Sequence, residues 1–196
     1  NKLLKLSNVS LNYTIDNNSI NILKNISFEV DYKETISIVG ESGSGKTSLI
    51  MLIGGLEKIS AGNIFFKDSE ISNMTEDEIS EIRRKNIGIV FQSFYLIPNY
   101  TALENVSLSL EINKLDNATQ KAKEILDRFG LSKRFNNLPS QLSGGEQQRV
   151  AIARSVVMKP ELILADEPTG NLDSENTENI SNCLLYTSPS PRDAQL

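Results

Sequence analysis

The sequence feature that most constrains the fold is the octapeptide at residues 40–47, which reads Gly-Glu-Ser-Gly-Ser-Gly-Lys-Thr. It follows an apolar run at residues 35–39 and precedes a helix-forming run at residues 48–53. Glycines let successive backbone N–H groups point at phosphate oxygens, and the start of a helix carries partial positive charge. The order of these three segments therefore predicts a strand, a phosphate-binding P-loop and a helix, with a nucleotide as the ligand.

Each residue of this loop is a candidate contact for the nucleotide. Lys46 suits the β- and γ-phosphates, and the Thr47 hydroxyl suits Mg²⁺. A Gly/Ser turn could match the pattern by chance, but the strand before it and the helix after it argue against that reading. The predicted nucleotide-binding residues of the loop are Gly40, Glu41, Ser42, Gly43, Ser44, Gly45, Lys46, Thr47 and Ser48.

Charge and composition argue against several other classes of protein. The 20 Lys and Arg residues against 25 Asp and Glu residues give a net charge of −5, which disfavours a broad nucleic-acid-binding surface. The longest apolar run, residues 49–56, is far shorter than the roughly 20 residues of a membrane span. A single cysteine and no secretory signal indicate a cytoplasmic protein without a disulfide scaffold.

The remaining hydrophobic patterns predict an α/β fold of the P-loop NTPase class. Alternating residues at the N-terminus predict an antiparallel β subdomain, and continuous apolar runs predict a mostly parallel core sheet. Capping boxes and a terminal glycine make residues 102–138 mostly helical, within a helical subdomain of about residues 102–157. The predicted strands are residues 2–15, 20–30, 35–39, 62–66, 87–90 and 161–165.

Two further motifs accompany the P-loop. Residues 142–149 read Leu-Ser-Gly-Gly-Glu-Gln-Gln-Arg, a glycine-rich helix start that can donate N–H groups to an anion. Residues 162–168 read Leu-Ile-Leu-Ala-Asp-Glu-Pro and place two carboxylates at the carboxyl end of a buried strand, where ligands bind in open α/β sheets. One nucleotide cannot easily use both anion-binding helix ends of a single chain.

Together these three motifs resemble the ATP-binding subunits of ABC transporters. Residues 90–98 and 165–173 are similar to the macrolide-export and lipoprotein-release subgroup, which also includes bacteriocin and antimicrobial-peptide exporters. The resemblance extends from about Leu4 to about Asn182. It implies an ATPase that powers export or membrane extraction of a substrate through a separate or fused permease.

The resemblance also implies roles for single residues. Tyr13 is implied to stack on the adenine ring, as aromatic faces do with bases. Glu167 is implied to be the general base, a role worth about 10²- to 10⁴-fold in rate. The implied catalytic residues are Glu167, Gln92 and Lys46, and the implied Mg²⁺ ligands are Thr47, Gln92 and Asp166.

Two kinds of partner follow from the same resemblance. In these ATPases the glycine-rich helix of one subunit closes on the γ-phosphate held by the other, so that two ATP molecules lie in a head-to-tail dimer. The aromatic segment from Phe91 to Pro98 is implied to receive a helix of the membrane permease, which places the subunit on the inner face of the cell membrane. The residues implied to act across the dimer are Ser143, Gly144, Gly145, Glu146 and Asp173.

The C-terminal end departs from the family. A switch histidine is expected after Asp173, yet the chain contains no histidine. Residues 183–196 look like a translated sequencing adapter, so we expect the ATPase domain to cover residues 1–182 and its last core strands to be missing. Asn1 in place of Met suggests a clipped N-terminus as well. We therefore expect poor stability and little ATPase activity for these 196 residues.

Two other classes remain open from the residues alone. Soluble ABC-type ATPases of DNA repair or translation carry the same motifs, but repair members insert long coiled coils and translation members carry two cassettes in tandem. Here a compact insert joins Gln92 to Leu142, and one cassette is present. A P-loop kinase or GTPase would not need residues 143–145.

Overall fold

The structure is a computed structural model that describes residues 2–15 and 18–168. The described chain divides into two compact units, one ending at Arg83 and one beginning at Arg84. The elements in chain order are β1 (Lys2–Ile15), β2 (Asn18–Asp31), α1 (Lys46–Ile53), β3 (Ala61–Phe66), β4 (Ser69–Glu70), α2 (Glu76–Asn86), β5 (Ile87–Val90), α3 (Ala102–Ile112), α4 (Ala118–Arg128), α5 (Gly144–Val156) and β6 (Leu162–Ala165).

The first unit is built on an antiparallel sheet with the strand order β2-β1-β3-β4. Residues of β1 pair with β2 on one side, as in Leu4↔Val30, and with β3 on the other, as in Leu6↔Ile64. Leu4, Leu6 and Ile64 are buried, which is the expected result of alternation on a sheet with one covered face. This sheet carries Tyr13, and α1 follows the P-loop within the same unit.

The second unit joins a parallel strand pair, β5 and β6, to a cluster of three helices. The strands pair in register from Ile87↔Leu162 to Val90↔Ala165. Helices α3, α4 and α5 contact one another, and α5 also contacts β5. Their shared core consists of Val90, Ala102, Val106, Leu110, Ala122, Leu126, Phe129, Leu131, Leu142, Val150, Ile152, Ala153 and Val156.

Most of the predicted elements are present. The antiparallel β subdomain, the helix after the P-loop and both parallel strands are confirmed. The helical stretch contains α3 and α4, with turns at residues 129–138 before a 3₁₀ turn at Pro139–Gln141. The proposed division into domains stays a prediction, and residues 169–196 lie outside the described part of the chain.

One predicted strand is wrong. The structure assigns no strand to residues 35–39, and the side chain of Val39 is 91% exposed. An apolar run becomes a strand only when neighbouring strands accept its hydrogen bonds and cover its side chains. Neither described sheet includes this segment, so the apolar pattern alone did not determine its conformation.

Gly88 marks the closest approach between β5 and α5. A Cβ atom at this position would clash with the backbone carbonyl oxygen of Ser155 and lie 3.0 Å from Cγ of Pro160. The strand can therefore pack directly on the helix only because residue 88 has no side chain.

We expect Gly88→Ala to lower the free energy of unfolding by roughly 1 to 3 kcal/mol, because the clash is with backbone that must shift. Urea denaturation followed by circular dichroism measures the change. Gly144→Ala is the matched control, since a Cβ atom there meets nothing within 4 Å. An equal effect of the two substitutions would contradict the packing argument.

Candidate functional site

The P-loop has the geometry of a phosphate cradle. Gly43 and Gly45 have φ angles of 81° and 91°, a left-handed conformation that glycine adopts without a Cβ penalty. The Lys46 ammonium donates to the carbonyl oxygens of Gly40 and Glu41, both at 2.9 Å. These hydrogen bonds fold the lysine side chain back across the loop that precedes α1.

The end of the loop packs against the hairpin. A Cβ atom at Gly45 would lie 2.9 Å from Cδ2 of Leu23 and 3.1 Å from the carbonyl oxygen of Ile22. Gly45 also accepts the Leu49 N–H at 2.9 Å, which begins the hydrogen bonding of α1. The loop is therefore held between the helix it starts and strand β2, while residues 40–44 are exposed.

Tyr13 lies on β1 opposite Ile20, in the same unit as the P-loop. Its side chain is 38% exposed, and its hydroxyl donates to Oε1 of Glu57 at 2.6 Å. This hydrogen bond raises the pKa of the Tyr13 phenol. Sequence analysis identified Tyr13 but missed Glu57, because 44 residues separate them.

The glycine-rich start of α5 is a well-formed helix cap. The Ser143 hydroxyl accepts the Glu146 N–H at 3.2 Å, and the Glu146 carboxylate accepts the Ser143 N–H at 2.8 Å. Arg134 donates to the same carboxylate at 2.7 Å, and this contact, with the Ser143 N–H, lowers the pKa of Glu146. The carboxylate that was predicted to act across a dimer thus has a structural role within its own chain.

Strand pairing brings Gln92 and the two carboxylates to one edge of the parallel sheet. The Asp166 N–H donates to the Val90 carbonyl at 2.9 Å, so Phe91 and Gln92 leave β5 beside the end of β6. Asp166 is buried and Glu167 is exposed with a φ angle of 43°. A left-handed backbone is uncommon at non-glycine residues, and the residues that adopt it cluster at functional sites.

A buried glutamine joins α5 to the chain after this edge. Gln148 is fully buried, and its Nε2 donates to the Pro168 carbonyl at 2.8 Å. Pro168 directly follows Glu167. The sequence signal for this role is an amide residue one helical turn before the apolar residues Ala151 and Ile152, both of which are buried, and sequence analysis did not use it.

The loop after Gln92 is fixed by an arginine of α5. The Arg154 guanidinium donates to the carbonyl oxygens of Tyr95 at 2.8 Å and Phe94 at 2.9 Å. Phe94 and Tyr95 have φ angles of 58° and 47°, and burial lowers the pKa of Arg154. The Tyr95 side chain is 65% exposed and its ring packs edge-on against Phe91, with centroids 5.2 Å apart.

A second buried polar side chain fixes the far half of this loop. Asn105 of α3 is fully buried and accepts the Ile97 N–H at 2.8 Å. Its amide nitrogen donates to the carbonyl oxygens of Ile97, Tyr100 and Thr101. The segment from Phe91 to Thr101 is therefore an ordered loop whose shape two helices determine.

The predicted site residues thus fall into two groups. Tyr13 and the P-loop lie in the first unit, and Gln92, the start of α5 and the carboxylates lie in the second. Asp173 lies outside the described residues. Within residues 2–15 and 18–168, no group of three or more His, Cys, Asp or Glu residues is arranged to hold a metal ion. None of the helices in those ranges has the length and apolar character that a bilayer span requires.

Comparisons with known proteins identify the family of this chain. The ABC transporter family model matches residues 23–170. Lipoprotein-releasing system ATP-binding proteins LolD are 44% identical to this chain: the one from Idiomarina loihiensis matches over 93% of this chain and 81% of its own length, and the one from Myxococcus xanthus over 93% and 82%. The Francisella tularensis protein of the same name is also 44% identical, with 91% and 78% covered.

Two solved structures are also similar to this chain in both sequence and fold. The dimeric post-hydrolysis structure of the ATP-binding cassette MJ0796, bound to ADP and Pi, has a TM-score of 0.88 and 41% identity over 95% of this chain and 83% of its own. A second dimeric structure of MJ0796, a bacterial ABC transporter cassette, has a TM-score of 0.87 and 42% identity, covering 92% and 81%.

The fold is that of an ATP-binding cassette, and the chain belongs to the ABC transporter family. It is the ATP-binding, ATP-hydrolysing subunit of a transporter, as the three motifs predicted. These relatives are transport subunits, which argues against the alternative of a DNA repair or translation ATPase.

The lowered pKa of Glu146 predicts a pH-dependent contribution to stability. Because the pKa is lower in the folded state, the stabilisation is present above the unfolded value of about 4.3 and is lost as the pH falls through the folded value. Glu146→Gln should cost about 0.2 to 1 kcal/mol at pH 7, since the Arg134 side chain is partly exposed. The loss should vanish in strong acid.

Urea denaturation at several pH values tests this prediction. Glu104→Gln is the matched control, because Glu104 caps α3 with Thr101 in the same way but its lowered pKa has no arginine among its causes. A smaller loss is therefore expected for Glu104→Gln. A Glu146→Gln loss that stays constant down to strongly acidic pH would contradict the assignment.

The Arg154 contacts predict local order in the loop after Gln92. Arg154→Met removes both hydrogen bonds to the left-handed pair Phe94 and Tyr95, and hydrogen bonds from a charged donor contribute about 1.5 to 3 kcal/mol. We expect amide hydrogen exchange at residues 93–97 to become at least about tenfold faster, with β6 unchanged. Arg128→Met, on the exposed end of α4, is the control. Unchanged exchange in the loop would refute the role of Arg154.

Proposed function

We propose that this subunit hydrolyses ATP between two copies of itself and thereby drives a membrane permease that exports or extracts its substrate. The observation that carries the proposal is the presence of two glycine-rich helix starts in one chain. Lys46 begins α1 behind the P-loop, and Gly144 begins α5 behind the Ser143 cap. Each offers N–H groups to an anion, which suits one ATP held by two different copies.

The P-loop holds the phosphates in this proposal. Its exposed backbone and the left-handed Gly43 and Gly45 fit a cluster of phosphate oxygens. Lys46 exchanges the Gly40 and Glu41 carbonyls for the β- and γ-phosphates when ATP binds. The lysine is therefore already oriented across the loop before the nucleotide arrives, which lowers the cost of ordering it.

The oxygen donors also fit Mg²⁺. A hydroxyl from Thr47, an amide oxygen from Gln92 and a carboxylate from Asp166 are hard ligands of the kind this ion takes in phosphate sites. Gln92 and Asp166 follow paired strands at one sheet edge, which supports their joint use. When bound, Mg²⁺ neutralises charge on the transferring phosphate.

Glu167 acts as the general base. It follows Asp166 at the sheet edge and is exposed. The backbone next to it is fixed because Gln148 donates to the adjacent Pro168 carbonyl. A carboxylate in this position takes the proton of the attacking water, while Lys46 stabilises charge on the γ-phosphate.

The second copy completes the site through the start of its own α5. The dimeric MJ0796 structures, one with ADP and Pi bound, support this arrangement. The residues that we assign to this contact are Ser143, Gly144, Gly145, Glu146 and Asp173. Gly144 has open space where a side chain would be, so a phosphate can approach the helix start closely.

The Phe91–Pro98 segment docks the permease. Tyr95 supplies an exposed aromatic ring on a loop that Arg154 and Asn105 hold in shape, and rigid aromatic anchors dominate many interfaces. Docking there places the subunit on the cytoplasmic face of the membrane. Because Gln92 begins the same loop, permease movement and the ATP site are connected through a few residues.

The substrate class that we favour is lipoproteins. The support is the name shared by the LolD relatives, each 44% identical to this chain. A permease for another substrate of the export subgroup would use the same ATPase chemistry. Co-purification with a permease that extracts lipoproteins from vesicles would distinguish the two.

Glu167→Gln tests the assigned base. The substitution should retain ATP binding, slow steady-state phosphate release about 10²- to 10⁴-fold and accumulate an ATP-bound dimer on size-exclusion chromatography. Glu161→Gln, at the other end of the β6 segment, is the control. Unimpaired turnover would remove Glu167 as the base.

A further inference from the structure

The structure contains a contact across the first unit that the three motifs do not account for. The Tyr13 hydroxyl donates to the Glu57 carboxylate at 2.6 Å, and the two residues belong to different parts of the chain. Tyr13 lies on β1, and Glu57 follows α1, the helix that starts at the P-loop. The contact therefore connects the candidate base-binding ring to the far end of the phosphate-binding helix.

We propose that Glu57 is a positioning residue for the nucleobase, which holds the Tyr13 ring at a fixed place relative to the P-loop. This inference rests on the proposed stacking of adenine on Tyr13. Glu57 does not touch the nucleotide in this account and acts through the Tyr13 hydroxyl alone.

The first link between Tyr13 and the P-loop runs through the hairpin. Tyr13 and Leu11 of β1 pair with Ile20 and Leu23 of β2. Leu23 in turn packs against the Cα position of Gly45, at the end of the P-loop. The strand that carries the ring is thus packed on the loop that carries the phosphates.

The second link runs through α1 and its exit. The Leu56 N–H donates to the Met51 carbonyl at 2.8 Å, which closes the helix just before Glu57. Ser60 then ties the same segment to β1, since its N–H donates to the Ser10 carbonyl at 2.8 Å and its hydroxyl accepts the Asn12 N–H at 2.9 Å. Glu57 is therefore presented from a segment that is itself fixed to the strand of Tyr13.

The P-loop and Tyr13 are therefore connected by two routes, one through strand β2 and one through helix α1 and the segment that follows it. A phenol that rotates freely on a partly exposed strand loses entropy when a base stacks on it, whereas one that is already hydrogen-bonded loses less. The bond occupies the hydroxyl and leaves part of the ring exposed. The raised pKa of Tyr13 agrees with a phenol that stays protonated as the donor.

Isothermal titration of two probes tests the proposal on the whole chain. The affinity for ATP depends on contacts to both the base and the phosphates, whereas the affinity for inorganic tripolyphosphate depends on the P-loop contacts alone. Tyr13→Phe keeps the ring and removes the hydroxyl, and Glu57→Ala removes the acceptor. We expect each substitution to weaken ATP binding about three- to tenfold, with tripolyphosphate binding changed less than twofold.

The double variant gives the sharper result. Because both substitutions break one hydrogen bond, Tyr13→Phe combined with Glu57→Ala should bind ATP no more weakly than Tyr13→Phe alone. Lys58→Ala, on the same exposed turn, is the control and should leave both affinities unchanged. Additive losses, or an equal loss for tripolyphosphate, would show that Glu57 acts on the fold and overturn the proposal.

Tyr13→Ala separates this inference from the proposed function beneath it. If Tyr13→Ala weakens ATP binding but Glu57→Ala and Tyr13→Phe do not, stacking stands and the positioning role of Glu57 is wrong. If Tyr13→Ala leaves ATP binding unchanged, the stacking itself is wrong, and the inference is overturned with it.

Discussion

The burial of α5 is the constraint on which the second unit depends. Val150, Ile152 and Ala153 of this helix are fully buried in the shared core, and its Ser155 carbonyl faces Gly88 of β5 at a distance that excludes a side chain. A helix held this firmly can present polar groups in fixed directions. Its start carries the Ser143 cap, Gln148 holds the Pro168 carbonyl next to Glu167, and Arg154 holds the Phe94 and Tyr95 carbonyls.

Three capping boxes with a Ser or Thr cap and a Glu, all within residues 18–168, show how one local motif serves different functions. Thr75 and Glu78 cap α2, Thr101 and Glu104 cap α3, and a third pair caps α5. The first turn of α2 also carries Glu76 and Asp77, which neutralise the positive end of the helix. The first turn of α5 begins with two glycines, so an external anion can take the place that side chains fill in α2.

The sequence predicted those features that depend on near neighbours. The helix after the P-loop, the caps and the two carboxylates after β6 follow from residues close along the chain, and the structure contains each of them. The strand at residues 35–39 failed because a strand requires partners that its own sequence does not specify. The Tyr13–Glu57 and Arg154–Tyr95 contacts were missed for a related reason: they join residues 44 and 59 positions apart, and tertiary packing alone brings them together.

The length of α5 has a mechanical consequence. At 1.5 Å per residue, about 16 Å of helix separates Ser143 from Arg154, with Gln148 near the middle. Ser143 lies at the helix end that we propose for the phosphate of a second copy, and Arg154 donates to the Tyr95 carbonyl. A tilt of α5 by about 10° around the position of Gln148 moves Arg154 by roughly 1.6 Å. A shift of that size is enough to break the hydrogen bond to Tyr95, so under the proposed function α5 is the element that connects the ATP site mechanically to the permease-docking loop.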